Sequence, residues 1–400
     1  MNKQFVNVIG GGLAGCEAAW TLANKGIKVN LYEMKPLKKS PAHHSDLLCE
    51  LVCSNSLKAA RIESAAGLLK EEMRRLGSIT MTAAAKTSVS AGGALAVNRD
   101  MFSEYVTNEI LKHPNITVIN KEVKDIDFTD EITIIATGPL TSDALAEKIK
   151  GVCGNSLSFY DAAAPIVTRD SLDMSKIFAA SRYGRGEDDY LNCPFNKEEY
   201  TEFYKALISA ESVALKEFEQ NAPTVYEGCM PIEIMAKRGE DTIRFGPLKP
   251  VGLRDPITQL RPWAVVQLRK ENQEGSLLNI VGFQTNLKFS EQKRVFSMIP
   301  GMKNAEFVRY GVMHRNTFID SPKILTKQLN TKQNQNLFFA GQITGVEGYI
   351  ESAASGIFAA LNAAKLIKNG CLLKSLPSDT MLGALINYIT NQSVVDFQPM

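Results

Sequence analysis

The chain is poor in several features that would settle its class at once. Only four of its 400 residues are histidine, and its seven cysteines include no C-x-x-C pair, so no zinc-type ligand spacing is present. An odd cysteine count in a chain of this length argues against a disulfide framework and for reduced thiols. No run approaches the roughly 18 apolar residues of a membrane span, and the opening MNKQFVNVI enters glycines without a leader-like cleavage site. A cytoplasmic protein with no membrane partner is expected. Charge is nearly balanced, 45 Lys and Arg against 43 Asp and Glu, so the whole-molecule field announces no nucleic acid and any RNA-binding face must be local. Hydrophobic residues at 44% and charged residues at 22% exclude a disordered chain.

What is present begins at the N-terminus. Phe5 to Ile9 reads as a buried strand, Gly10-Gly11-Gly12-Leu13-Ala14-Gly15 follows, and Leu13, Cys16, Trp20 and Ala23 recur at helical spacing until Gly26. A second strand, Lys28 to Tyr32, ends at Glu33, 23 positions after Gly10. Glycines at the first, third and sixth positions let the backbone approach a pyrophosphate at a helix N-terminus, and the acid suits ribose hydroxyls. FAD, NAD(P) and S-adenosylmethionine would all fit such a turn. Two further segments discriminate among them: Ile132 to Ala136 running into Thr137-Gly138-Pro139, and Leu337 to Ala340 running into Gly341-Gln342-Ile343-Thr344-Gly345 and a small-residue helix from about Glu351 to Lys368. This combination resembles the FAD domain of glutathione-reductase-like flavoproteins. The implied fold class is α/β, a Rossmann FAD-binding domain formed by residues 1–155 and 305–400 with an inserted α+β domain at 156–304. No second strand with a correctly spaced glycine turn occurs, so a nicotinamide cofactor would visit without its own Rossmann fold.

In the middle of the chain, Asn196 with Glu199 forms a capping-box pattern, and Tyr200, Phe203, Tyr204 and Leu207 share a helical face. That stripe reads as core, with base stacking as the alternative. Residues 237 to 270 carry eight basic and three acidic side chains, the best local candidate for phosphate contact, although a solvated face fits the same count. Trp263 within it suits either a base platform or core.

Two thiols have settings suited to chemistry. Cys53, in Leu51-Val52-Cys53-Ser54-Asn55-Ser56-Leu57-Lys58, could open a helix with Lys58 nearby to favour the thiolate. Cys229 lies between Gly228 and Pro231, again ahead of a predicted helix start. Cys49, four residues before Cys53, would share a helical face with it and form a redox pair. Cys16, Cys153, Cys193 and Cys371 read as structural.

The strings IGGGLAGCEAAW, ELVCSNSLK, YEGCMPIE, EFVRYGVMHRNTFI and AGQITGVEGYIESAASG, in order along the chain, closely resemble the folate- and FAD-dependent tRNA (uracil-5-)-methyltransferase family, TrmFO. The resemblance implies reductive methylation of the T-loop uridine of tRNA, with FAD as cofactor and 5,10-methylenetetrahydrofolate and NAD(P)H as co-substrates. It makes Cys53 and Cys229 the functional thiols, with Cys229 adding to uracil C6 and Cys53 the flavin-side thiol and base. It assigns Gly10, Gly11, Gly12, Leu13, Ala14, Gly15 and Glu33 to the FAD adenosine half, Arg99 to the cofactor, and Gly341, Gln342, Gly345 and Tyr349 to the pyrophosphate and flavin. Family chains continue beyond the FQPM string, and Asn98 stands where the family often has an acid. Alternatives left open are the same chemistry on a ribosomal RNA uridine, a flavin-dependent thiol oxidoreductase using Cys49 and Cys53, and a flavin-bound RNA-binding protein without catalysis.

Overall fold

The computed structural model describes the chain apart from residues 1–4, 41, 127–130, 154–156, 185–187, 214–229, 257, 395–396 and 400, with backbone alone at 157–161, 314, 315 and 317. Cys229 therefore lies outside the described residues.

The apolar runs that lack alternation become a parallel sheet buried on both faces. Its strands are, in spatial order, Leu337–Phe339, Thr133–Ile135, Phe5–Ile9, Lys28–Glu33 and Ile116–Asn120, with Val8 opposite Leu31 on one side and Ile134 on the other. Sequence order is broken at the centre, where the chain leaves Phe5–Ile9 with neighbours on both sides. That switch point opens a crevice at the carboxyl ends of the strands. The helix Leu13–Asn24 packs along the closing helix Tyr349–Asn369, and the approach is close: a Cβ at Gly356 would lie 2.2 Å from the Ala14 carbonyl oxygen. The closing helix is long and apolar enough to cross a membrane, but 72% of its apolar window is buried inside the protein, as for a core helix.

A second, antiparallel sheet has the order Phe178–Ala179, Tyr190–Phe195, Ala264–Lys270, Leu277–Ile280, Ile166–Thr168, Phe307–Arg309. Its apolar cluster draws on residues between Val167 and Ala305, whereas the cluster of the parallel sheet draws on Val6 to Ile149 and Phe318 to Phe397. Between the two, Leu157–Ala162 and Met313–Phe318 pair antiparallel. The helix Lys197–Ser209 covers the second sheet. Tyr200, Phe203 and Leu207 are fully buried, so the aromatic stripe is core. Its start carries the full capping box: Glu199 N–H donates to Asn196 Oδ1 at 2.8 Å and Asn196 N–H to Glu199 Oε2 at 3.0 Å.

One local expectation fails. Cys53 opens no helix, and residues 49–53 share no helical face; the chain there bends and then enters the strand Ser56–Ala59, because the side chains after Cys53 bond to distant segments rather than to a following turn.

Two stability measurements follow. Asn196→Ala removes one half of a reciprocal cap and is expected to cost about 1 kcal/mol in urea denaturation; no change would mean the helix is held by packing alone. Lys70, buried with its ammonium donating to the Ala59 and Ala66 carbonyls at 2.8 and 3.1 Å, is pulled by burial from its ordinary 10.5 to about 8. Unfolding then takes up a proton between pH 8 and 10.5, so in that window the stability of the wild type relative to Lys70→Met should rise with pH. A flat difference contradicts the assignment.

Candidate functional site

The crevice is shaped first by glycines. Gly10 sits at φ +104°, and a Cβ there would come 2.5 Å from the Ala136 carbonyl oxygen, so the turn crosses the neighbouring strand at backbone contact. At Gly15 a Cβ would meet the Gly10 carbonyl at 1.8 Å, which presses the helix onto its own loop. Gly12 differs: among the described residues nothing lies within 4 Å of where its Cβ would be. Its open side faces a cavity of about 990 Å³, mouth included, that Gly10 to Ala14, Glu33, Thr137, Gly341, Gln342 and Tyr349 help to line. Glu33 fixes the loop, its two carboxylate oxygens accepting from Gly11 N–H at 2.7 Å and Lys35 N–H at 2.9 Å.

Two helices begin at this cavity, at Leu13 and Tyr349, and neither has a side-chain cap, which leaves their first amides for an anion. Gly341, at φ +82°, donates its N–H to Ser355 Oγ at 2.7 Å and would place a Cβ 2.9 Å from the Ala14 Cβ, so the two nucleotide-side turns touch. Open Gly12, uncapped helix starts and the Glu33 carboxylate fit the pyrophosphate and ribose of a dinucleotide. Gly345 is elsewhere; a Cβ on it would strike Phe397 at 2.5 Å, and it shapes the turn rather than lining the cavity.

Beside the crevice lies Cys53, half-buried, its thiol 3.9 Å from the Ala162 carbonyl. Its backbone is held from several directions. Tyr349, the first residue of the closing helix, accepts from Cys53 N–H at 2.7 Å and Ser54 N–H at 3.1 Å through its phenol oxygen. Burial, with Cys53 close by, pushes that phenol well above its ordinary value and keeps it protonated. Arg99 Nη1 donates to Leu51 O at 2.7 Å and Nη2 to Cys53 O at 3.4 Å, and the same guanidinium forms a two-pronged pair with Glu271 at 2.7 and 3.2 Å. Although burial opposes the charge, Glu271 holds Arg99 above its ordinary value. Arg309 Nη2 takes Val52 O at 2.7 Å, while Arg269 reaches Asn55 Oδ1 at 3.0 Å and Ser54 Oγ at 2.9 Å. Fully buried Asn55 donates to Val97 O and Lys270 O at 3.1 and 3.0 Å.

The structure thus brings Gly10 to Ala14, Glu33, Gly341, Gln342 and Tyr349 to one cavity and sets Cys53 at its side. Arg99 does not line this cavity; its guanidinium is engaged by Glu271 and two carbonyls and supports the Cys53 loop. Cys49 is fully buried with Cys16 beside it, and burial pushes its thiol well above the ordinary value. Cys16 and Cys193 are likewise buried, but Cys371 is exposed. Asn98 caps the helix Arg99–Lys112, its Oδ1 accepting from Met101 N–H at 3.1 Å. In the basic segment, Lys237, Lys249, Arg254 and Arg261 are exposed, and the Arg244 guanidinium covers the Trp263 ring at 3.7 Å, occupying that face. Sequence reading missed Asn55, Arg269, Glu271 and Arg309; only the polar run Ser54-Asn55-Ser56 hinted at a loop with side-chain partners.

A parallel sheet with a glycine turn at its switch point, an acid ending the second strand and a closing helix on the same crevice defines a Rossmann-type dinucleotide-binding protein of the flavoprotein kind. The GidA protein of Aquifex aeolicus has the same fold, with a TM-score of 0.74 at 18% identity over 100% of this chain and 69% of that one. Residues 5–371 match the family described as Glucose inhibited division protein A. Three methylenetetrahydrofolate–tRNA-(uracil-5-)-methyltransferases TrmFO, from Bacillus pumilus, Bacillus subtilis and Desulforamulus reducens, are 58%, 58% and 59% identical over 100% of this chain and 91%, 91% and 90% of their own lengths. The chain belongs to the TrmFO family.

Two substitutions separate packing from ligand contact in the glycine turn. Gly15→Ala should lower the stability of the flavin-free protein by about 1–3 kcal/mol through overpacking. Gly12→Ala should leave that stability within about 0.5 kcal/mol yet weaken dinucleotide retention, read as flavin absorbance surviving gel filtration. Equal retention in Gly12→Ala and wild type would contradict the placement of the pyrophosphate.

Proposed function

We propose that this chain catalyses the reductive C5-methylation of the T-loop uridine of tRNA, with FAD as cofactor, 5,10-methylenetetrahydrofolate as carbon donor and NAD(P)H as reductant. The observation that carries the reading is identity of 57–59% across essentially the whole chain to relatives so named, among them the Bacillus subtilis enzyme. The cavity geometry supports the dinucleotide part independently. Two separate apolar clusters support a FAD-binding domain of residues 1–155 and 305–400 around an inserted α+β domain of 156–304. A tRNA substrate and the burial of the long apolar helix Tyr349–Asn369 support a cytoplasmic protein that binds no membrane.

FAD held by Gly10 to Gly15, Glu33 and the Gly341 turn supplies the redox chemistry that the side chains lack. The side chains supply nucleophile, base and geometry. Uracil C5 is a poor nucleophile until something adds at C6, and the Cys229 thiolate is suited to that reversible addition, its lone pair forming the S–C6 bond as electron density moves to the C4 carbonyl. Once C5 carries the one-carbon unit, its proton must leave and Cys53 accepts it; the methylene then needs a hydride equivalent, which bound reduced FAD would supply, to become methyl as C6–S cleavage returns the Cys229 thiolate. Cys53 is suited to the base role because its backbone is fixed by Tyr349, Arg99 and Arg309 while its thiol stays partly accessible.

Purified holoenzyme incubated with labelled methylenetetrahydrofolate and either unmodified tRNA or ribosomal RNA tests the reading. Label is expected in tRNA; label in ribosomal RNA alone would overturn the tRNA assignment. Cys229→Ala should abolish transfer, and Cys53→Ala should lower its rate by about 10²–10⁴-fold with the flavin still bound. Unchanged methyl transfer in Cys229→Ala would overturn Cys229 as the C6 nucleophile.

A further inference from the structure

Three aromatic rings form a parallel ladder on the surface near the site. Tyr310 stacks on Phe289 with centroids 4.8 Å apart and planes 16° from parallel, and on Phe307 at 5.4 Å and 7°. Phe307 packs toward the core of the antiparallel sheet, but Phe289 at the outer end is 53% exposed, and neighbouring Val308 is 54% exposed. Burial alone does not account for a ladder whose last ring stands in water.

Its location is specific. Tyr310 follows Arg309, whose guanidinium holds the Val52 carbonyl next to Cys53. Phe289 follows a segment bonded to both sides of the stretch that carries Cys229: Lys288 N–H donates to Glu211 O at 3.0 Å and Val213 N–H to Asn286 O at 2.8 Å, while Ile232 N–H donates to Gln284 O at 2.7 Å and Asn286 N–H to Glu233 Oε1 at 2.7 Å. The ladder is thus carried by segments bonded to Val52, next to Cys53, and to residues 211–213 and 232–233. The helix it opens, Phe289–Phe296 with Lys288 ahead of it, carries exposed Lys293; Lys288 pairs with Glu211 at 2.5 Å and Arg294 with Glu291 at 2.6 Å, so the segment beside the open ring keeps one net positive charge.

We propose that an unstacked nucleobase of the RNA substrate continues this ladder on the exposed face of Phe289, with a flanking phosphate met by Lys293 of that helix. The inference rests on the RNA reading given above. Every base has a π-face, and a ring already aligned on two others presents a flat platform without ordering cost. Tyr310 and Phe307 set the plane of Phe289; Phe289 makes the contact.

The test measures the affinity of the holoenzyme for a short RNA stem-loop bearing the unmodified uridine, with Phe289→Leu, Phe289→Trp and wild type compared. Phe289→Leu keeps apolar volume but no ring and should weaken binding about tenfold to hundredfold, with KM for RNA rising more than kcat falls and flavin reduction by NAD(P)H in the absence of RNA unchanged. Phe289→Trp should restore binding to wild-type level or better, which a merely structural role at an exposed position would not require. Affinity unchanged in Phe289→Leu, with wild type binding and methylating the RNA, overturns the platform and leaves the function standing. Wild type that binds no RNA overturns both.

Discussion

The pair between Arg99 and Glu271 is the constraint on which the site depends. Both side chains are largely shut from water, at 14% and 4% exposure, and come from segments 172 residues apart. A buried ion pair is weak evidence for stability, because the desolvation of two charges offsets most of their attraction. What this pair contributes is geometry: Glu271 fixes the guanidinium in a plane from which its remaining N–H groups reach the Leu51 and Cys53 carbonyls. The strand end that carries Glu271 also carries Arg269, which grips Asn55 and Ser54. The antiparallel sheet thus holds the Cys53 loop from one side.

The parallel sheet holds it from the other. The switch point leaves the Leu13 helix and the Tyr349 helix starting at one crevice, and Tyr349 uses its side chain to receive two amides of the loop. One residue therefore belongs to both the cofactor cavity and the support of the thiol. A change in the position of the closing helix would be felt at Cys53 through a single phenol oxygen. The geometry around Cys53 is a joint property of both sheets, and neither core builds it alone.

What the sequence disclosed follows from how local each constraint is. The glycine turn, its acid and the two strands flanking them were legible because the spacing from Gly10 to Glu33 is dictated by backbone contact within one β-α-β unit. The Asn196 cap was legible for the same reason. The environment of Cys53 was not. Its partners lie from 46 to 296 positions away, and Ser54 and Asn55, which resemble helix-capping residues, spend their side chains on Arg269 and on the Val97 and Lys270 carbonyls. The hold of Arg99 on the Cys53 loop was not legible because a lone arginine in a family motif does not disclose a carboxylate at position 271. The aromatic ladder escaped notice because its three rings come from Phe289 and from Phe307 and Tyr310, with no shared period.

Amide hydrogen exchange at Cys53 and Ser54, compared between wild type and Glu271→Gln, tests this dependence most directly. The prediction is exchange faster by about tenfold or more at those two amides, with the protection of Val6 to Ile9 in the parallel sheet unchanged. Equal protection at Cys53 and Ser54 in the two proteins would show that the loop holds its shape without the Arg99–Glu271 pair.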